Sequence, residues 1–119
     1  MPAYALAYQV PPAELHEEVY EYMERIQDTL DPFGGRFLVH GAPLDVREGD
    51  WPGVLVIIEF PAIEQARAWY DSPAYRAIKR LRADHIPGVL VLVDGVEPEH
   101  DSAAMAAGLR AAAQAARTL

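Results

Sequence analysis

The stretch Val54-Leu55-Val56-Ile57-Ile58-Glu59-Phe60-Pro61 decides the fold. Its branched and aromatic side chains favour an extended backbone, so it reads as a strand. An antiparallel strand with one wet face alternates apolar with polar residues. This one stays apolar on both faces from Val54 to Ile58. Both faces must therefore be covered. Helices of the same chain can cover one, but 119 residues supply too few elements for the other. A second copy of the sheet is the simplest cover, and the segment predicts a homodimer.

Working outward, Gly49-Asp50-Trp51-Pro52-Gly53 is a turn rich in residues that punctuate chains. Before it, Arg36 to His40 forms a strand that Gly41-Ala42-Pro43 interrupts as a bulge or bend, and Leu44 to Arg47 resumes it. At the start of the chain, Ala3 to Val10 reads as a strand with Tyr4, Leu6, Tyr8 and Val10 on one face and alanines on the other. Leu15, Val19, Tyr22, Ile26 and Leu30 trace one face of a helix from Ala13 to about Leu30, and its glutamates form a solvated face. Asp31-Pro32 closes that helix. After the decisive strand, Pro61 begins a short helix to about Asp71. Ser72-Pro73 caps and starts another to about Ala83, and Gly88 to Val93 is the last strand.

The order strand, helix, two strands, broken helix, strand is an α+β ferredoxin-like split βαβ-βαβ pattern. Residues 1–96 form this domain, and residues 97–119 form a linker and a helical extension. Asp101-Ser102 caps the extension, which is alanine-rich and carries a thin stripe of Met105, Leu109, Ala112 and Ala116. It either docks on the dimer or frays.

Composition removes several function classes. A formal charge of −8 opposes binding to nucleic acid or to an anionic membrane surface. Without cysteine there is no disulfide framework, thiolate site or thiol nucleophile. No apolar run approaches the ~20 residues of a membrane helix, and the first residues lack a signal-peptide pattern, so the expected location is cytoplasmic. The chain has no phosphate-cradling glycine loop, dinucleotide fingerprint or nucleophile-elbow serine. His16, His40, His85 and His100 lack short metal-ligand spacing. No metal and no cofactor is expected.

The motifs Phe33-Gly34-Gly35-Arg36-Phe37-Leu38-Val39, Glu48-Gly49-Asp50-Trp51, Ile58-Glu59-Phe60-Pro61 and Trp69-Tyr70-Asp71-Ser72-Pro73, with the opening Pro2-Ala3-Tyr4, occur in that order. With them the chain resembles the domain of unknown function 1330 family over about Met1 to Val96. The resemblance implies a dimeric α+β barrel, in which two ferredoxin-like sheets close face to face. Relatives of that architecture include cofactor-free monooxygenases, muconolactone-isomerase-like enzymes and haem-binding chlorite dismutases. By that analogy alone, His85 or His40 would be the haem ligand if there were one. After Val39 the family usually has an arginine and two glycines, whereas this chain has His40-Gly41-Ala42. An anion held by that arginine in relatives would be held here only by a protonated His40.

Two polar side chains in apolar strands, His40 and Glu59, are the candidate catalytic pair. If the hairpin turns about Asp50-Trp51, Glu59 faces Ala42, and a bulge at Gly41-Ala42-Pro43 brings His40 alongside. A carboxylate orienting an imidazole makes a general base or acid. The competing reading is a structural histidine and a solvated glutamate. Arg36, expected on the His40 face, either binds a substrate carboxylate or carbonyl, or pairs with Glu64 or a partner-chain carboxylate. Trp69 at helical spacing reads as core first. Tyr4, Tyr70 and Tyr75 could each meet a ligand through the hydroxyl. Trp51 packs against the dimer partner or lids the barrel mouth. Two functions follow: a cofactor-independent enzyme of proton-transfer, isomerase, cyclase or monooxygenase type acting on a small apolar organic molecule, or a non-catalytic binding or assembly module.

Overall fold

The computed structural model describes residues 1–118. Four strands, β1 (Ala3–Gln9), β2 (Arg36–His40), β3 (Val54–Phe60) and β4 (Gly88–Asp94), form one antiparallel sheet in the order β2-β3-β1-β4. Helices α1 (Glu17–Leu30), α2 (Ile63–Asp71) and α3 (Pro73–Ala83) accompany the sheet, and α4 (Ser102–Arg117) ends the chain. This is the expected α+β ferredoxin-like arrangement. In α1, Val19, Tyr22, Ile26 and Leu30 are buried, so the apolar stripe faces the sheet. The helix starts at Glu17 rather than Ala13, because His16 is the N-cap and its Nδ1 accepts the Glu18 N–H. Ser72 caps α3 by accepting the Tyr75 N–H at 3.2 Å, with Pro73 at the first helical position.

The chain leaves α1 through a short 3₁₀ turn, Asp31–Phe33, into Gly34 at φ 71°. Only glycine adopts that backbone without strain. Gly35 follows where a Cβ would lie 2.8 Å from both Leu30 and Phe60 side chains. The glycine pair therefore lets β2 start hard against the core.

One face of the sheet packs on the helices through Ala3, Ala5, Ala7, Val56, Ile58 and Phe60, all buried. The opposite face carries Tyr4, Leu6 and Tyr8 of β1, Leu55 and Ile57 of β3, and Val89, Val91 and Val93 of β4, which face one another across the ladders. Among the described residues no helix covers it, and the loop before β3 reaches only its Tyr8–Leu55 end; the three valines are 64%, 50% and 46% exposed. The Val54–Phe60 strand thus lies in a sheet with helices packed on one face and, among the described residues, none on the other.

Two local expectations differ from the structure. Leu44 to Arg47 does not resume β2; the chain is irregular from Gly41 to Gly53. Nor does the hairpin pair Glu59 with Ala42. Arg36 faces Glu59, Phe37 faces Ile58, and after a bulge between Phe37 and Val39, Val39 faces Ile57 and His40 faces Val56. The irregularity falls at Leu38, inside the strand, rather than at Gly41-Ala42-Pro43.

The helix α4 buries no residue, and Met105 and Leu109 are 56% and 62% exposed. Because it contributes no buried apolar area, deleting residues 97–119 is expected to move the thermal midpoint by less than about 2 °C, since a change of 1 kcal/mol moves a domain of this size by only ~4 °C. Differential scanning calorimetry of the truncated chain checks this, and a drop above about 5 °C would show that the extension is packed.

Candidate functional site

The bulge at Leu38 decides the site. A strand without it would place Arg36, Leu38 and His40 on one face. The extra residue instead returns His40 to the helix side, where its ring stacks on Phe37, three residues earlier, at 4.2 Å and 7° between planes. Arg36 stays on the uncovered face. There its guanidinium holds Glu59, with Nε and Nη2 2.9 and 2.8 Å from the same carboxylate oxygen. The expected pairing of His40 with Glu59 does not form, because the two lie on opposite faces of the sheet. Arg36 pairs with Glu59 rather than with Glu64.

On the helix side lies a cavity of about 250 Å³ between the sheet and α1 and α3. Its sheet wall is made by Ala5, Ala7, Val56 and Ile58, with His40, Gly41 and Gln9 among the polar contributions. The small alanines of β1 create the space: larger residues there would fill it. The helix wall brings Val19, Tyr22, Ile26, Trp69, Arg82 and Ile86. This is an apolar pocket with few polar groups, the form small-molecule sites take.

The polar groups have distinct environments. His40 stays open to solvent at the cavity edge, and the partial burial of its ring lowers its imidazole pKa from the usual 6.5. It is therefore a neutral ring at physiological pH. Tyr22 and Tyr75 form a buried hydroxyl pair at 3.0 Å, and Arg82 Nη2 donates to the Tyr75 hydroxyl at 3.3 Å. Burial pushes the Tyr22 phenol far above 10, so it keeps its proton. The Arg82 guanidinium also lies 5.6 Å from the centre of the Tyr22 ring. Arg82 Nε is buried and has no protein partner.

Trp69 is fully buried, as its helical spacing predicts. Its indole N–H donates to Thr29 Oγ1 at 3.0 Å, and that hydroxyl donates to the Ile26 carbonyl at 2.7 Å. The same ring also forms part of the cavity wall. Tyr75 is fully buried behind it at 4.2 Å, and Tyr70 packs beside both, with Lys79 Nζ 4.8 Å from its centre. Tyr4 lies on the uncovered face opposite Glu59 and Val93. Trp51 packs edge-on against Tyr8 at 5.1 Å and flanks a shallow hollow under the Leu44–Glu48 loop. Of the predicted site residues, His40 and Trp69 reach the cavity; Arg36, Tyr4, Glu59, Trp51, Tyr70 and Tyr75 do not line it.

Sequence reasoning missed Tyr22 and Arg82. The signal existed in α3: Arg82 stands seven residues after Tyr75 and four after Ile78, on the helix face those residues bury. An arginine on an apolar stripe is out of place unless something inside needs it.

Outside the cavity, His16, Glu18 and His85 bring one donor atom each within 4.8 Å of one another. Glu18 accepts from Arg80 at 3.1 Å and contacts His85 Nε2 at 2.8 Å, bonds that hold its carboxyl below the ordinary range. The imidazoles of His16 and His85 lie parallel, 3.9 Å apart and 9° between planes. Nitrogen lone pairs lie in the ring plane, so two rings stacked in this way do not aim at one ion. The cluster ties the start of α1 to the end of α3.

Residues 2–96 match the model of a family described as domain of unknown function DUF1330. The chain belongs to that family. The solved structures it resembles include RPA0582 from Rhodopseudomonas palustris, a protein of unknown function, at 18% identity over 82% of this chain and 84% of that one, with a TM-score of 0.56. They also include SnoaB, a cofactor-independent oxygenase from Streptomyces nogalater, at 13% identity over 84% and 97% of the two chains, with a TM-score of 0.52. At these identities the likeness is one of fold. What the likeness supports is the α+β ferredoxin-like arrangement described above. No curated protein sequence matches the chain.

Proposed function

We propose that this DUF1330 protein is a homodimeric, cofactor-independent enzyme that moves a proton on a small apolar organic molecule held between the sheet and the helices. The observation that carries the reading is the apolar cavity with a neutral imidazole on its sheet wall. A general base must be unprotonated and within reach of the bound carbon acid. Partial burial favours the first condition, and the Leu38 bulge supports the second by turning His40 to the cavity side. Glu59 has no part in the step, since it faces the other way. The fold neighbour SnoaB, a cofactor-independent oxygenase, is compatible with chemistry begun by removing a proton from an organic substrate.

The dimer forms through the uncovered sheet face. Tyrosine, leucine, isoleucine and valine side chains make this face apolar, with Val89, Val91 and Val93 exposed, and exposed apolar patches mark interaction sites. The Arg36–Glu59 ion pair lies at its border. A non-catalytic ligand-binding module is the alternative, in which the same cavity holds its ligand without turnover.

An enolisable aromatic ketone, 2-tetralone, separates the two. In deuterated buffer the protein is expected to accelerate exchange of the ketone's α-protons, read by NMR, and His40→Ala is expected to reduce that catalysed rate by roughly 10²-fold, the lower range of general-base effects. The wild-type rate is expected to hold near neutral pH and to fall on acidification only as pH passes His40's depressed pKa. The sign follows from the shift: the neutral form acts, and burial extends its range to lower pH. By linkage, His40 contributes stability fully above its unfolded value and loses it as pH falls through the folded one. Exchange no faster than in buffer, or exchange undiminished in His40→Ala, would favour the binding module.

A further inference from the structure

We infer that the cavity takes an organic anion, an aromatic or alicyclic carboxylate or enolate whose negative oxygen is held by Arg82 and the Tyr22–Tyr75 hydroxyl pair. The inference rests on the cavity being a ligand site and adds the charge of its ligand.

Buried charges are paired with an opposite charge or they cost free energy. Among the described residues no carboxylate forms a salt bridge with Arg82; its polar partner is the Tyr75 phenol and its guanidinium lies beside the Tyr22 ring. The other arginines that contact carboxylates, Arg25, Arg36, Arg47 and Arg80, do so on outer surfaces. Arg82 Nε is in addition buried with no protein acceptor.

The phenols add a second donor. Tyr75 accepts from Arg82, and Tyr22 and Tyr75 share one hydrogen bond, so two hydroxyl protons serve one contact. Both phenols lie inside the core, and the Tyr22 hydroxyl keeps its proton. The second proton has no acceptor among the described residues. Tyr22 and Arg82 both line the cavity. Arg82 and the Tyr22 hydroxyl thus border an apolar space, with no carboxylate among the described residues to meet the guanidinium. A ligand anion supplies all that is missing, with a charge-assisted hydrogen bond from the guanidinium and one from the phenol. The remaining wall, alanine, valine and isoleucine, suits an apolar body.

The site also assigns complementary roles. His40 on the sheet wall removes a proton, and the negative charge that results is stabilised from the helix wall, as electrostatic preorganisation requires. Arg82 and Tyr22 are binding and charge-stabilising groups; Tyr75, which reaches the site through them, is a positioning residue.

The test compares 2-naphthoate with its neutral isostere 2-acetonaphthone by isothermal titration calorimetry against the full-length protein. The anion is expected to bind at least roughly tenfold more tightly, the difference between a charge-assisted and a neutral hydrogen bond. Tyr22→Phe, which removes only a hydroxyl, is expected to lower that preference about threefold, and Arg82→Met to abolish or reverse it. Where Arg82→Met fails to fold by circular dichroism, the Tyr22→Phe result and Arg82→Lys decide, the lysine keeping charge but losing the Nε–H donor. Equal affinity for the two probes, or a preference that survives these substitutions, overturns the inference and leaves the cavity as a site for neutral ligands. Binding of neither probe at millimolar concentration overturns the ligand-site reading itself, and this inference with it.

Discussion

Val91→Asp is expected to convert the protein from dimer to monomer at micromolar concentration, as read by sedimentation velocity or multi-angle light scattering. Val91 lies midway along β4, opposite Leu6, and is half exposed in the single chain. In the dimer we propose, it sits at the centre of the sheet-to-sheet contact. A carboxylate there would be removed from water with no cation to meet it, a cost of several kcal/mol per ion, and it would be incurred twice across a two-fold axis. The monomer tolerates the same change, because the side chain then points into water. Circular dichroism should therefore stay native while the mass halves. A dimer that persists in Val91→Asp would move the interface away from this sheet face, and a wild-type monomer would remove the dimer altogether.

Trp69→Ala is expected to cost about 3–5 kcal/mol of folding stability, the range for emptying a large aromatic from a core. That is a large fraction of the ~5–15 kcal/mol a domain possesses. Trp69 is fully buried against Phe60 at 5.4 Å and Tyr75 at 4.2 Å. Its loss also leaves the Thr29 hydroxyl without its indole donor. The void would open directly into the adjoining cavity, since Trp69 is part of the wall. Urea unfolding should show a large fall in the midpoint. Trp51→Ala, removing an indole that is 41% exposed on the strand-linking loop, serves as the control, with an expected change below about 1 kcal/mol because surface contacts of this kind carry little. Similar losses in the two variants would contradict the placement of Trp69 in the core.

The fold was readable because its main signals are periodic. The three-four-four spacing of Val19, Tyr22, Ile26 and Leu30, the Ser72-Pro73 start of α3 and the apolar run from Val54 are each patterns that physical chemistry restricts to few answers. The site was less readable because it depends on one unpatterned event. A bulge at Leu38 reverses the face of every residue after it, and no glycine, proline or charge at Leu38 marks it. Placing the irregularity at Gly41-Ala42-Pro43 kept Arg36 and His40 together and drew Glu59 towards the imidazole. The structure separates them to opposite sides of the sheet. Arg82 went unnoticed for another reason: its partners, Tyr22 and the cavity, come from elements distant in sequence, and only their packing shows a guanidinium without a counter-charge.

These placements make one chain of cause. Alanines in β1 leave a space, the bulge turns an imidazole into it, and an unpaired arginine stands on the helix wall. The central claim is that this space is where a small organic molecule binds. Its most direct test is NMR shift mapping during titration with 2-naphthoate. Saturable shifts are expected at Ala5, Ala7, Ile26, Val56 and His40, with Val89, Val91 and Val93 unmoved. Shifts confined to the β4 valines and the rest of that sheet face, or no saturable shifts at all, would contradict it.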